Sequence, residues 1–141
     1  MRISAKAEYA CVAMLELAAS WGEPQPVRVK AIAEAHGIDQ RFLVQILLQL
    51  KTAGLVASLR GASGGYRLAR PPAEISLAHV FNAVAREPTP HPALSTATPA
   101  VRAVHSVWDE LHAREQRFLH ELTLEELVRR LRESHELSYQ I

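Results

Sequence analysis

Cysteine is almost absent from this chain: Cys11 is the single one in 141 residues. A lone thiol can neither close a disulfide within its own chain nor build a cysteine cage around a metal, which fits a reducing compartment and removes a large class of cofactor sites. Its apolar neighbours favour burial as a small hydrophobe over a reactive thiol. Aromatic residues are sparse at 6%, and no run of about 18 apolar residues occurs, so membrane insertion has no support. The opening MRISAKAEYA lacks an apolar signal core and a small-residue cleavage site, so the expectation is a cytoplasmic protein with no membrane partner.

Catalytic signatures are missing as well. Neither G-x-G-x-x-G after a strand nor G-x-x-x-x-G-K-[ST] is present, and HELTL and HELSY start like a zincin helix but lack the second histidine four residues on. No nucleophile and base stand together, so the expectation is that the chain is not an enzyme.

What is present is unevenly placed. The length suits one compact domain, or a small domain with an appendage. Net charge is only +1, yet Lys and Arg outnumber Asp and Glu by 10 to 6 over residues 1–86 and fall short by 6 to 9 over 87–141. Within 28–70 the count is 7 to 2. A basic front and an acidic rear suggest that the first part meets a polyanion while the second does something else.

Helix signals come in quick succession. Ser4 is an N-cap for a helix from about Ala5 to Ser20, ended by Gly22, Pro24 and Pro26. A short helix follows from about Arg28 to His36, closed by Gly37; Asp39 then caps a third helix that runs to about Ala53 and Gly54. Helix, glycine-containing turn, helix is helix-turn-helix grammar. The third helix carries Leu43, Ile46, Leu47 and Leu50 at core spacing, while Arg41, Gln45 and Gln49, with Gln40 and Thr52 alongside, make a polar stripe without an acid. Solvated faces usually mix both signs; this one suits a DNA groove. Gln pairs with adenine, Arg with guanine, and Val44 beside them suits a thymine methyl.

Residues 58–70, SLRGASGGYRLAR, hold three of the chain's 6 glycines and three arginines. With the preceding LVA they read as two short alternating runs about a glycine-rich turn, a projecting β-hairpin. Three helices and a projecting hairpin predict a winged helix-turn-helix: mainly α, with a small β-hairpin wing. Arg60 at the hairpin's edge would enter a minor groove, and Arg67 and Arg70 would lie near phosphates. The candidate DNA-binding set is Arg28, Gln40, Arg41, Gln45, Gln49, Arg60, Ser63, Gly64 and Arg67.

Pro71 and Pro72 end the hairpin, and Ser76 caps a packing helix that carries Leu77, Val80, Phe81 and Val84. Residues 86–99 hold four prolines and no periodicity, as a linker or exposed loop does. From about Pro99, Val101, Val104, Trp108, Leu111, Phe118 and Leu122 alternate spacings of three and four, with Glu115 interrupting the seam. A lone long helix cannot bury such a stripe, so it predicts homodimerisation through a long C-terminal helix. Thr123 and Glu126 predict a capping box for a last helix with Leu127, Val128 and Leu131, followed by a loose polar tail. The expected organisation is a DNA-binding domain over 1–87, a linker or effector loop over 88–98, a dimerisation helix over 99–122, and a docking helix with its tail over 123–141.

MRISAKAEYA, the continuous stretch from His36 to Val84 and FLHELTLEELV together resemble the IscR/NsrR/CymR family of bacterial winged-helix regulators, also called the Rrf-two family. LVASLRGASGGYRLARPP is the specific part. The resemblance implies a homodimer on a palindromic operator in double-stranded DNA, with the third helix in the major groove and the wing arginine in the minor groove. Gln45 and Arg60 are then the leading contacts, with Arg41 and Gln40 as helpers. Val44 stands where IscR-like proteins often carry a polar or acidic residue, so their operator sequence is not transferred to this chain.

Many family members hold an iron–sulfur cluster on three cysteines between the fourth helix and the dimerisation helix. Residues 86–104 contain none, so no cluster of that type and no cofactor is expected. His105 matches the histidine that accompanies those cysteines, and Glu8 matches a position where some members supply an acidic ligand from the partner subunit. With His91 and with His112, seven residues from His105 on one helix face, they are the candidate effector or metal residues for Zn²⁺, iron or haem; the alternative is solvated helix positions. The function expected is a homodimeric DNA-binding regulator, a repressor, with a small-molecule or protein effector. The alternative is a protein-interaction module that uses the same fold to hold another regulator or enzyme through its acidic half.

Overall fold

The computed structural model describes residues 3–85 and 96–140, and His91 with most of the expected linker lies outside them. Among the described residues nine elements follow one another: α1 (Ala5–Ala19), α2 (Val29–His36), α3 (Gln40–Thr52), β1 (Val56–Leu59), β2 (Gly65–Leu68), a 3₁₀ turn (Pro72–Glu74), α4 (Leu77–Val84), α5 (Pro99–Glu121) and α6 (Leu124–Gln140). The chain is mainly helical, with one antiparallel hairpin.

Local chemistry sets the helix starts. The Ser4 side chain accepts the Ala7 amide, Asp39 accepts the Phe42 amide and Thr98 accepts the Val101 amide, each satisfying a donor that the first turn leaves open. At α4 the box is reciprocal: Ser76 Oγ accepts the His79 amide while His79 Nδ1 accepts the Ser76 amide at 3.0 Å. Gly37, left-handed at φ 63°, closes α2.

One buried cluster unites the ends of the chain. Met14 and Leu17 of α1, Leu43, Ile46, Leu47 and Leu50 of α3, and Val80 of α4 meet Leu124 and Val128 of α6 in it. Each fully buried Leu or Ile is worth roughly 1.5–3 kcal/mol relative to exposure, so α3 is anchored chiefly by its inner face. A short bridge reinforces the join: the Leu77 amide donates to the Leu122 carbonyl, and the Leu124 amide to that of Ile75. The expected boundary at residue 87 therefore does not divide the core, because α6 completes it.

Two further differences lie in the C-terminal part. Leu122 is the extended cap that follows α5, half-buried by the bridge to α4 instead of continuing the apolar stripe. The tail expected to be loose is helical to Gln140, laced by i,i+3 and i,i+4 pairs from Arg129 to Glu126 and Glu133 and from Arg130 to Glu126. Thr123 caps the Glu126 amide, but hydrogen bonds from Arg129 turn the Glu126 carboxylate outward and hold its pKa below the ordinary value. Leu131 is 42% exposed and not a core residue.

Candidate nucleic-acid interface

Burial of Leu43, Ile46, Leu47 and Leu50 forces the opposite side of α3 into solvent. Arg41 and Gln45 are exposed there with Gln40, and Val44 is half-buried beside them. Asp39, Gln40, Arg41, Val44 and Gln45 line a shallow concave surface at the helix start. Among the described residues, neither Arg41 nor Arg60 has an intramolecular hydrogen bond or ion pair, which leaves their donors available to a ligand.

Gln49 does not join this face. It is half-buried, and its Oε1 is buried without a hydrogen-bond partner. Leu48, which the sequence pattern assigned to neither stripe, takes the outward place and is 50% exposed. The reason is angular: each residue turns about 100°, so a step of four overshoots a full turn by about 40°. From Arg41 to Gln49 the drift carries the side chain off the face, while positions 41, 45, 48 and 52 stay on it.

The hairpin stands beside this helix. Its register pairs Val56 with Leu68, Ala57 with Arg67, Ser58 with Tyr66 and Leu59 with Gly65. Val27 adds an isolated bridge on the other edge of β2, exchanging both backbone hydrogen bonds with Tyr66 at 2.8 Å. Lys51 Nζ, at the end of α3, donates to Ser58 Oγ at 2.8 Å, a strut between helix and wing that the sequence pattern did not reveal. The glycines are steric necessities: a Cβ on Gly64 would stand 2.3 Å from the Leu59 carbonyl oxygen, and one on Gly65 would stand 2.3 Å from that of Val27. The Gly64 amide donates to the Gly61 carbonyl, so this predicted DNA contact serves to shape the turn. Ser63 and Arg60 are exposed on the wing.

Two predicted DNA arginines are tied to the protein itself. Arg28 donates to the Ala62 carbonyl at the wing tip, and Arg67 donates to the Pro24 carbonyl at 3.2 Å. Both remain exposed, so each guanidinium braces the wing with one donor and keeps others free. Arg70, expected near phosphates, is half-buried with its Nε unpartnered. It faces α4, where burial first and then the Arg70 charge push the His79 pKa down.

The apolar stripe of α5 is open. No residue of this 23-residue helix is buried; Val101, Val104, Trp108, Leu111 and Phe118 are 40–60% exposed, and Val107, outside the predicted seam, widens the stripe. A patch this long on a water-facing helix marks an interaction surface.

The candidate metal residues of one protomer stand on two helices. Glu8 lies exposed on α1, while His105 and His112 lie on α5. Among the described residues no three His, Cys, Asp or Glu side chains come together as a metal site. Cys11 packs half-buried against the core, where burial, with the Glu8 carboxylate adding to it, pushes the thiol up to about 11. A thiol so held is a poor metal ligand and nucleophile.

Comparison with known proteins accounts for this arrangement. Residues 3–130 match the Rrf2 family model, described as "Iron-dependent Transcriptional regulator". The IscR transcriptional regulator of Photobacterium profundum is 37% identical over 132 residues, covering 92% of this chain and 76% of that protein. An HTH-type regulator of Mycobacterium tuberculosis is 50% identical over 84 residues, 60% of this chain and 52% of that protein, so that match spans about half the relative's length. Among solved structures, T. potens IscR superposes with a TM-score of 0.79 at 31% identity over 95% of this chain and 90% of that one. CymR, the global cysteine regulator of B. subtilis, gives 0.77 at 32% identity over 91% and 96%. The family description names iron, whereas one cysteine in α1 is not the donor set of a three-cysteine cluster. Winged helix, exposed α3 face and family match agree: the chain belongs to the Rrf2 family of HTH-type, DNA-binding transcription regulators, which are not enzymes.

Proposed function

We propose that the protein is a homodimeric repressor that binds a palindromic operator and works without a cysteine-ligated iron–sulfur cluster. The observation that carries this reading is the pairing of an acid-free outward face on α3 with an uncovered apolar stripe on α5. A second copy is the occupant expected for that stripe, since Val101, Val104, Trp108 and Leu111 have coiled-coil spacing. Two α3 helices related by a two-fold axis then meet half-sites about 34–36 Å apart or a small multiple of that. Repression needs only occupancy of the operator, in the cytoplasm where the DNA is.

Regulation follows from the same geometry. An effector that changes the tilt of the paired α5 helices changes the spacing of the α3 helices, and its binding energy is coupled to that of the operator. A small molecule or protein acting near the start of α5 and the face of α1 fits that role. Clusterless operation is supported by the absence of cysteine from residues 86–104 and by the high pKa of the Cys11 thiol.

Sedimentation equilibrium of the protein and of Trp108→Glu tests the assembly. The expected result is a wild-type dimer and a folded, monomeric variant that loses operator affinity by about 100-fold or more, because the second half-site no longer adds its contacts. A monomeric wild type, or a variant that stays dimeric and binds normally, contradicts the reading. Absence of DNA affinity even at low salt would favour an interaction module.

A further inference from the structure

Leu48 is out of place for a solvated helix. It is 50% exposed near the middle of the outward face of α3, seven residues from Arg41 and four from Val44. Every other exposed residue from Gln40 to Thr52 is polar or charged. Leu48 is not held there by a neighbouring element, since the buried cluster contains Leu47 and Leu50 but not Leu48. Its backbone carbonyl accepts the Thr52 hydroxyl at 3.0 Å, which leaves only the isobutyl group to meet a ligand.

In a major groove the choice of ligand is narrow. Base edges there offer hydrogen-bond donors, acceptors and one apolar group, the C5-methyl of thymine. A leucine side chain has no polar atom with which to read the others. We infer that Leu48, with Val44 one turn earlier, forms an apolar reading pair for thymine methyl groups, flanked by Arg41 and Gln45 as the hydrogen-bonding readers. This rests on the DNA-binding reading and deepens it by assigning specificity. Four residues of helix rise about 6 Å, close to two steps of about 3.4 Å along one strand. The half-site therefore contains thymines about two steps apart.

The test uses the full chain and an operator recovered by selection from a randomised DNA pool. Each thymine of the half-sites is replaced in turn by deoxyuridine, which keeps its pairing and loses only the methyl group. Burying one methyl group in an apolar contact corresponds to about fourfold in affinity. Wild type is expected to lose about that much per half-site at one thymine assigned to Leu48. Leu48→Ala is expected to bind the thymine operator more weakly by a similar factor and to be indifferent to uridine at that position alone. The exposure of Leu48 lets the variant fold, which its circular dichroism and thermal melt verify. Wild type indifferent to uridine everywhere, or Leu48→Ala retaining the full uridine penalty, overturns the inference and leaves the DNA-binding reading intact. Recovery of no sequence from the pool overturns both.

Discussion

The guanidinium of Arg28 donates a hydrogen bond to the backbone carbonyl of Ala62, joining the N-terminal cap of α2 to the tip of the wing across 34 positions of sequence. Hairpin and helix-turn-helix are thereby braced into one surface. Arg28→Ala is expected to change unfolding free energy by less than about 1 kcal/mol, because the bond is exposed. It is expected to weaken operator binding by about tenfold as the wing loosens. Chemical denaturation and fluorescence anisotropy measure the two; a loss of stability with unchanged binding would contradict the bracing role.

Arg60 stands exposed at the edge of the same wing, without an intramolecular partner among the described residues, and the proposed function assigns it to a minor groove. Arg60→Ala is expected to cost about 1–3 kcal/mol of operator binding and to reduce the preference for A·T pairs where the wing sits. Binding to operators with A·T or G·C in that segment checks it. Equal affinity and equal preference in variant and wild type would remove Arg60 from the interface.

Gly64 carries a different prediction, because its substitution acts on the backbone. An alanine Cβ would meet the Leu59 carbonyl oxygen at 2.3 Å, so strand β1 and the turn must part. Gly64→Ala is expected to destabilise the fold by about 1–3 kcal/mol and to weaken DNA binding at any sequence. A thermal melt unchanged from wild type would show that the wing yields freely.

Much of this was legible in the sequence, and the failures share a cause. Ser4, Asp39 and Ser76 announce their helices because a cap depends on neighbours three residues away. The hairpin is legible from its glycines. Gln49 leaves the predicted polar stripe, and Leu48, in neither stripe, takes the outward place, because a period of four departs from the helical 3.6 and the departure grows with each turn. The struts from Arg28 to Ala62, Arg67 to Pro24 and Lys51 to Ser58 join residues brought together only by the fold. A basic residue in a basic segment looks the same in sequence whether it braces or binds. The helical end of α6 was concealed by its polarity, since pairs such as Arg129–Glu133 support a helix that has no apolar face to display.

His79 gives the fold a dependence on pH. Its imidazole accepts the Ser76 amide at Nδ1 and packs edge-on to His120 at 6.2 Å. Burial, then the charges of Arg70 and His120, lower its pKa from the ordinary 6.5. The unfolded chain then binds the proton more readily than the folded one, so stability is full above about pH 6.5 and falls as pH drops below it. His79→Gln keeps an acceptor for the cap and cannot titrate. Denaturation midpoints from pH 8 to about pH 5 are expected to fall less in the variant. Identical pH profiles would exclude His79 as the group responsible.

Operator affinity of protein purified without oxygen, measured before and after treatment with a chelator and at two salt concentrations, tests the central claim most directly. One palindromic sequence is expected to be bound equally well by both preparations, with affinity falling steeply as salt rises because phosphate contacts release counterions. Affinity or sequence preference that disappears with the chelator would contradict a regulator working without iron and would return Glu8 and His105 to the role of ligands.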